Sequence, residues 1–178
     1  MSIATRKGDD GTTGLLYGGR VRKDSPRPEA YGQVDEAQAV LGLARAHAEP
    51  GGELDGVLVG VQRDLWVLMA DLATDVANRS KLVAGASLVT TEMVTRLDDL
   101  LAHYEGRFEM PKEFVVPGAS LVGAHLDVAR TVVRRAERVA VALAPESTAA
   151  LAYLNRLSDL LWALARWQDG TSQTARQT

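Results

Sequence analysis

Val128-Ala-Arg-Thr-Val-Val-Arg-Arg-Ala-Glu-Arg-Val-Ala140 is apolar enough and long enough to be one packed helix, yet it carries four arginines. At helical pitch Arg130, Arg134 and Arg138 stack at i, i+4 and i+8, with Glu137 in the same sector. Like charges at that spacing repel one another, and here they share a helix whose Val and Ala residues belong in a core. Two kinds of compensation are open. A polyanion such as a nucleotide triphosphate is one, because the planar guanidinium binds phosphate bidentately. Salt bridges to neighbouring helices are the other, and the segment alone leaves both standing.

Outward from this helix, the N-terminus reads Thr5-Arg-Lys-Gly-Asp-Asp-Gly-Thr-Thr-Gly14, and Gly18, Gly19, Arg20, Arg22 and Lys23 follow. Glycines let backbone N–H groups approach an anion, and hydroxyls and basic side chains add donors. The Walker A spacing is absent. Taken singly such a stretch is most simply a polar terminus; taken with the arginine stripe it supplies a second wall for a phosphate site.

The pattern between these segments is helical. Pro26 and Pro28 can open a first helix that runs to about His47, and Pro50-Gly-Gly52 breaks it. A second extends from about Glu53 to Asn78, with Leu54, Val57, Leu58, Val61, Leu65 and Leu68 at helical intervals. Thr90-Thr91 caps a third, which reaches about Tyr104, and a fourth runs from near Ser120 to about Leu143. A fifth spans about Glu146 to Gln168, with Gly170 just beyond. No segment shows strand alternation. The expectation is an all-α, five-helix bundle with an irregular N-terminal nucleotide-binding segment. It divides into residues 1–25 (N-terminal segment), 26–168 (bundle) and 169–178 (flexible tail) of a single domain.

Composition sets the outer limits. The 178 residues are 46% hydrophobic and 24% charged, which suits one domain with an ample core. A net charge of −3 argues against a general nucleic-acid binder. No cysteine is present, which removes disulfides, thiol nucleophiles and zinc–thiolate sites. The first residues hold no signal-peptide core, and no apolar run approaches the roughly 20 residues of a membrane span. The expectation is a cytoplasmic protein. His47, His103 and His125 match no metal spacing, and no Glu-x-x-His occurs, so no protein-built metal site is expected.

Further polar residues fall in stripes. Asn155, Asp159, Trp162 and Arg166 share one face of the fifth helix, and Tyr31, Asp35 and Gln38 share one of the first. A mid-helix aspartate such as Asp35 is solvated or sits in a structural salt bridge as readily as in a site.

Thr5-Arg-Lys-Gly-Asp-Asp-Gly, Ala30-Tyr-Gly-Gln-Val-Asp-Glu36, Asp71-Leu-Ala-Thr74, Phe114-Val-Val-Pro-Gly118, Ala129-Arg-Thr-Val-Val-Arg-Arg-Ala-Glu-Arg138 and Asn155-Arg-Leu-Ser-Asp159 occur in one order. In these blocks the chain resembles the trimeric five-helix-bundle (propanediol-utilisation) ATP:cob(I)alamin adenosyltransferases, over roughly residues 3 to 167. The resemblance implies transfer of the 5′-deoxyadenosyl group of ATP to cob(I)alamin, with Co(I) attacking the ribose C5′ and triphosphate leaving.

It places ATP on Thr5, Arg6, Lys7, Gly8, Thr13, Gly14 and Lys23, and on Arg134, Arg135, Glu137, Arg138 and Asn155. Arg134 and Arg138 would face the phosphates as catalytic groups. Arg135 points about 100–140° away and is equally a packing or subunit-contact residue. Glu137 would orient an arginine or meet the water shell of Mg²⁺, and Asn155 suits adenosine recognition.

On the corrin side the resemblance implies Tyr31, Asp35, Phe114, Arg130 and Trp162. Phe114 and Trp162 would form an apolar wall that displaces the lower axial ligand and so eases reduction to Co(I). Asp35 and Arg130 would pair across subunits of a homotrimer with its sites between subunits. A reductase supplying electrons and an adenosylcobalamin-dependent enzyme taking the product are the implied partners. Two other classes remain open, a non-catalytic ATP-sensing or cobalamin-carrying bundle and a purely structural oligomerising bundle. Phe114 and Trp162 as ordinary core aromatics would fit either.

Overall fold

In a computed structural model, residues 4, 6–143 and 148–176 are described; Thr5, expected on ATP, lies outside them. Among the described residues the chain folds into five α-helices: α1 (Pro26–His47), α2 (Glu53–Leu72), α3 (Thr91–Glu105), α4 (Leu121–Ala140) and α5 (Thr148–Asp169). A small antiparallel hairpin, β1 (Thr12–Gly14) and β2 (Arg20–Arg22), precedes them, with Thr13 opposite Val21.

The apolar spacing explains the layering. Ala30, Val34, Ala37, Leu41 and Ala44 repeat at intervals of four and three and form the buried seam of α1. That seam packs on α4, whose inner face is Ala129, Val132, Val133, Ala136 and Ala140. The many alanines on both sides let the two helices approach closely. α5 is apolar over most of its circumference, with Tyr153, Leu154, Leu157, Leu160, Leu161 and Leu164 all fully buried. A helix that is hydrophobic nearly all round belongs in the middle, and α5 does lie between α3 and α4. Ser120 caps α4, its Oγ accepting from Gly123 N at 2.9 Å, and Thr90 caps α3.

Cross-contacts fix the directions. α1 and α4 run antiparallel, since Arg135 meets Glu36 while His47 meets His125 with ring centroids 5.2 Å apart. α4 and α5 are antiparallel as well, since Asn155 meets Glu137 and Arg166 meets Asp127. One end of the bundle therefore gathers the start of α1, the end of α2, the end of α4 and the hairpin. The other end gathers the start of α4, the end of α5 and the connector 106–120.

Two sequence expectations are corrected. α2 stops at Leu72 rather than near Asn78. Arg27, buried on α1, donates through Nη1 to Leu72 O (2.9 Å) and Thr74 O (2.6 Å), taking carbonyls at the helix end. Asp75 then caps a separate 3₁₀ turn, Val76–Lys81, by accepting from Ala77 N. The N-terminal segment is not wholly irregular, because the hairpin organises it and Leu16 N donates to Ala73 O at 3.0 Å. The described part of the tail runs beside the connector: Val116 N donates to Gln173 O and Ala175 N to Phe114 O, both at 2.8 Å.

Asp71 ties the long 73–90 connection to α2. Its fully buried carboxylate accepts from Arg79 Nη2 at 2.9 Å and from Val89 N at 3.0 Å. Among the described residues no helix is long and apolar enough to cross a membrane.

Candidate active site

The four arginines of α4 divide into two kinds of residue. Arg135 is half-buried and engaged with α1, its Nε donating to Gln33 and its Nη2 to Glu36. Arg130 lies 3.5 Å from Asp127, one turn back on the same helix. Arg134 and Arg138 are exposed and reach no carboxylate in the described chain; the one hydrogen bond between them runs from Arg138 Nη1 to Arg134 O at 3.0 Å. Salt bridging to a neighbouring helix thus holds for Arg135, which lies outside the stripe, and among the described residues for none of the stripe's three members: Arg130 is met from its own helix and Arg134 and Arg138 by no carboxylate. Their mutual repulsion in water is on the order of 1 kcal/mol, small enough for the bare protein to carry. A polyanion would convert it to attraction.

Glu137 and Asn155 join this end of the bundle, Asn155 Nδ2 donating to Glu137 Oε1 at 3.0 Å. The α4–α5 pairing thereby places an amide and a carboxylate beside the free guanidinium pair. Arg135, which the resemblance places on ATP, is directed into α1, as helical geometry anticipates for a residue one step round from Arg134.

The N-terminal residues form a compact loop of their own. Gly11 N donates to Gly8 O and Lys23 N to Gly11 O. A Cβ on Gly8 would sit 3.0 Å from Lys23 Nζ, so glycine there makes room for the lysine to fold over the loop. Arg20 Nη2 donates to Lys7 O at 2.6 Å, and Arg6 is held at φ 57°. Lys7, Gly14 and Lys23 are exposed and Thr13 half-buried. Among the described residues neither Arg134 nor Arg138 is joined to this loop by a hydrogen bond or ion pair, although the hairpin and the end of α4 lie at the same end of the bundle.

The corrin-side residues are partly assembled. Phe114 and Trp162 line one cleft of about 580 Å³, with Lys112, Val115, Ala175 and Arg176 around them. Phe114 is 89% exposed, so it is no core aromatic. Trp162 is half-buried, edge-on to Phe108 at 5.9 Å. Tyr31 packs on the core from α1, and Asp35 stands exposed without an ion partner in the described chain. Asp35 and Arg130 do not meet within the chain, since Arg130 faces Asp127. Along α4, Arg138 and Arg130 are eight residues apart, about 12 Å at 1.5 Å per residue.

The family model for cobalamin adenosyltransferase matches residues 3–168. This chain belongs to the cobalamin adenosyltransferase family. It is 41% identical over 187 residues to the corrinoid adenosyltransferase of Mycobacterium tuberculosis (strain CDC 1551 / Oshkosh), covering 97% of this chain and 96% of that protein. It is likewise 41% identical over 167 residues to the cobalamin adenosyltransferase of Cupriavidus metallidurans, covering 92% and 86%. Its structure is similar to that of a variant PduO-type ATP:corrinoid adenosyltransferase from Lactobacillus reuteri complexed with cobalamin and ATP. The TM-score is 0.87 at 28% identity, over 99% of this chain and 100% of that one.

Sequence reading missed several residues that shape the site of this adenosyltransferase-family chain. Arg27 escaped because nothing in a helix start announces a side chain that crosses to another helix end. Asp127 left a signal: it falls on the inner face of α4 between Leu126 and Ala129, where a carboxylate demands a buried partner. Among the described residues no group of three or more His, Asp or Glu could hold a metal ion.

Proposed function

We propose that this chain transfers the 5′-deoxyadenosyl group of ATP to cob(I)alamin, forming adenosylcobalamin and releasing triphosphate. The carrying observation, on a chain of this family, is the exposed pair Arg134 and Arg138, which meet no carboxylate among the described residues and share a helix with Arg130. In the reaction the Co(I) electron pair forms a bond to C5′ while the C5′–O bond breaks and its electrons leave on triphosphate. Arg134 and Arg138 oppose the charge that grows on the leaving group, the term that fixed donors supply best. Glu137 and Asn155 hold the nucleotide beside them. A Mg²⁺ accompanying the triphosphate would meet Glu137, the carboxylate beside the arginine pair, would offset phosphate charge there and would keep several of its waters. Electrons come from a cytoplasmic reductase, and the product goes to an adenosylcobalamin-dependent enzyme.

Phe114 serves the corrin. An exposed phenylalanine forgoes about 1.5–3 kcal/mol that burial would contribute, and a large apolar ring system laid on it recovers that. Phe114→Ala is therefore expected to leave the melting temperature nearly unchanged, while the four-coordinate Co(II) signal in electron paramagnetic resonance declines. Activity should drop when enzymatic reduction is limiting and drop less when cob(I)alamin is supplied ready-made. An unchanged four-coordinate fraction would remove Phe114 from this role.

Asp35 and Arg130 join neighbouring subunits of a homotrimer. What supports this is the exposed Asp35, without an ion partner in the described chain, and an N-terminal loop that no hydrogen bond or ion pair among the described residues joins to Arg134. A closed ring of head-to-tail contacts would bring such walls together and give three equal sites. Asp35→Ala and Arg130→Ala subunits, each weak alone, should regenerate part of the activity when mixed. Light scattering showing a stable, active monomer would contradict the arrangement, as would mixed subunits no better than either parent.

A further inference from the structure

Arg166 is among the largest fully buried side chains, and its surroundings are built for it. Its Nη2 donates to Asp127 Oδ2 at 2.6 Å and to Asp169 Oδ2 at 3.1 Å, while its Nε is buried without a partner. Asp169 in turn accepts from Ser120 Oγ at 2.7 Å. Gly123 is required here, because a Cβ would sit 2.1 Å from Asp169 Oδ1. Two carboxylates thus close on one guanidinium at the junction of α4 and α5. Burying such charges is costly, and an apolar cluster of similar volume would be at least as stable. Stability alone gives no reason for it.

The cluster has two outputs. Asp127 Oδ1 lies 3.5 Å from Arg130 Nε, an ion pair without a hydrogen bond, since that Nε is buried with no hydrogen-bond partner among the described residues; Arg130 is the partly exposed member of the set. The Arg166 guanidinium also lies 5.6 Å from the Trp162 ring centroid, and Trp162 lines the Phe114 cleft. Two of the five residues assigned to the corrinoid side, Arg130 and Trp162, are thus backed by the same buried ion cluster. Arg134 and Arg138 lie further along α4 and make no contact with it.

We propose that Asp127 and Arg166 are positioning residues for the corrinoid: Arg166 fixes Asp127 and backs Trp162, and Asp127 sets the direction of Arg130. The inference rests on the reading that Arg130 and Trp162 face the corrinoid. A rotamer-rich arginine held in place loses less freedom on binding, so the effect falls on corrinoid affinity and spares ATP.

The test is steady-state kinetics of Asp127→Asn, Arg130→Ala and the double variant, with ATP and chemically reduced cob(I)alamin varied in turn. Asp127→Asn is nearly isosteric and is expected to raise KM for cob(I)alamin roughly tenfold, with KM for ATP within about twofold of the parent. In the Arg130→Ala background the same change should add less than about twofold, because its target is gone. Should Asp127→Asn not fold, Arg166→Lys keeps the buried charge balance and is expected to show the same split between the two KM values. A corrinoid KM unchanged in either folded variant, equal losses for both substrates, or multiplicative effects in the double variant would overturn the inference. If Arg130→Ala itself leaves the corrinoid KM unchanged, the underlying assignment of Arg130 falls, and the inference with it.

Discussion

Arg134→Ala is expected to lower kcat for adenosyl transfer by about 10²–10³, the loss typical of removing one donor to a developing anion, about 2.7–4 kcal/mol. The side chain is exposed and unpaired in the described chain, so its removal leaves no buried group without a partner. The melting temperature should therefore stay within a degree or two, which separates a catalytic loss from a folding one. Because the charge it meets is larger in the transition state than in bound ATP, kcat should decline along with kcat/KM. A folded variant with activity within threefold of the parent would remove Arg134 from the mechanism. Arg135→Ala, by contrast, cuts a contact to α1 and should act chiefly on stability.

A large stability effect is expected at Asp71. Removing a buried carboxylate leaves Arg79, whose side chain is 18% exposed, without its ion partner and Val89 N without an acceptor. Breaking one member of a buried pair costs about 3–5 kcal/mol. In a domain of this size that lowers the melting temperature by roughly 6–20 °C. Thermal melting of Asp71→Ala measures it directly. A shift below about 2 °C would mean that the connection 73–90 is held by other contacts.

The bundle was legible because helical periodicity is a local property. Leu54, Leu58, Val61 and Leu65 announce a buried helix face whatever surrounds them, and all four are buried. The arginine stripe was legible for the same reason, as was the divergence of Arg135 from Arg134. The end of α2 was not, because it is fixed by Arg27 reaching across from α1, a contact that leaves no trace in the sequence near Leu72. The hairpin was missed because strands of three residues hold too little alternation to register. The exposure of Phe114 was also hidden: the connector carries no periodicity, and its course depends on hydrogen bonds to residues 173–175. Arg166 was read as one member of a polar stripe, whereas α5 is buried nearly all round and its polar residues need partners inside the fold.

Adenosyl transfer itself is tested most directly by one incubation. The purified chain is mixed in the dark with ATP and chemically reduced cobalamin, and the absorption spectrum and released phosphates are followed. The expected result is a light-sensitive alkyl-cobalt spectrum that grows in step with triphosphate. Saturable binding of ATP and cobalamin with no alkyl-cobalt product and no triphosphate would contradict it, and would make the chain a binding protein.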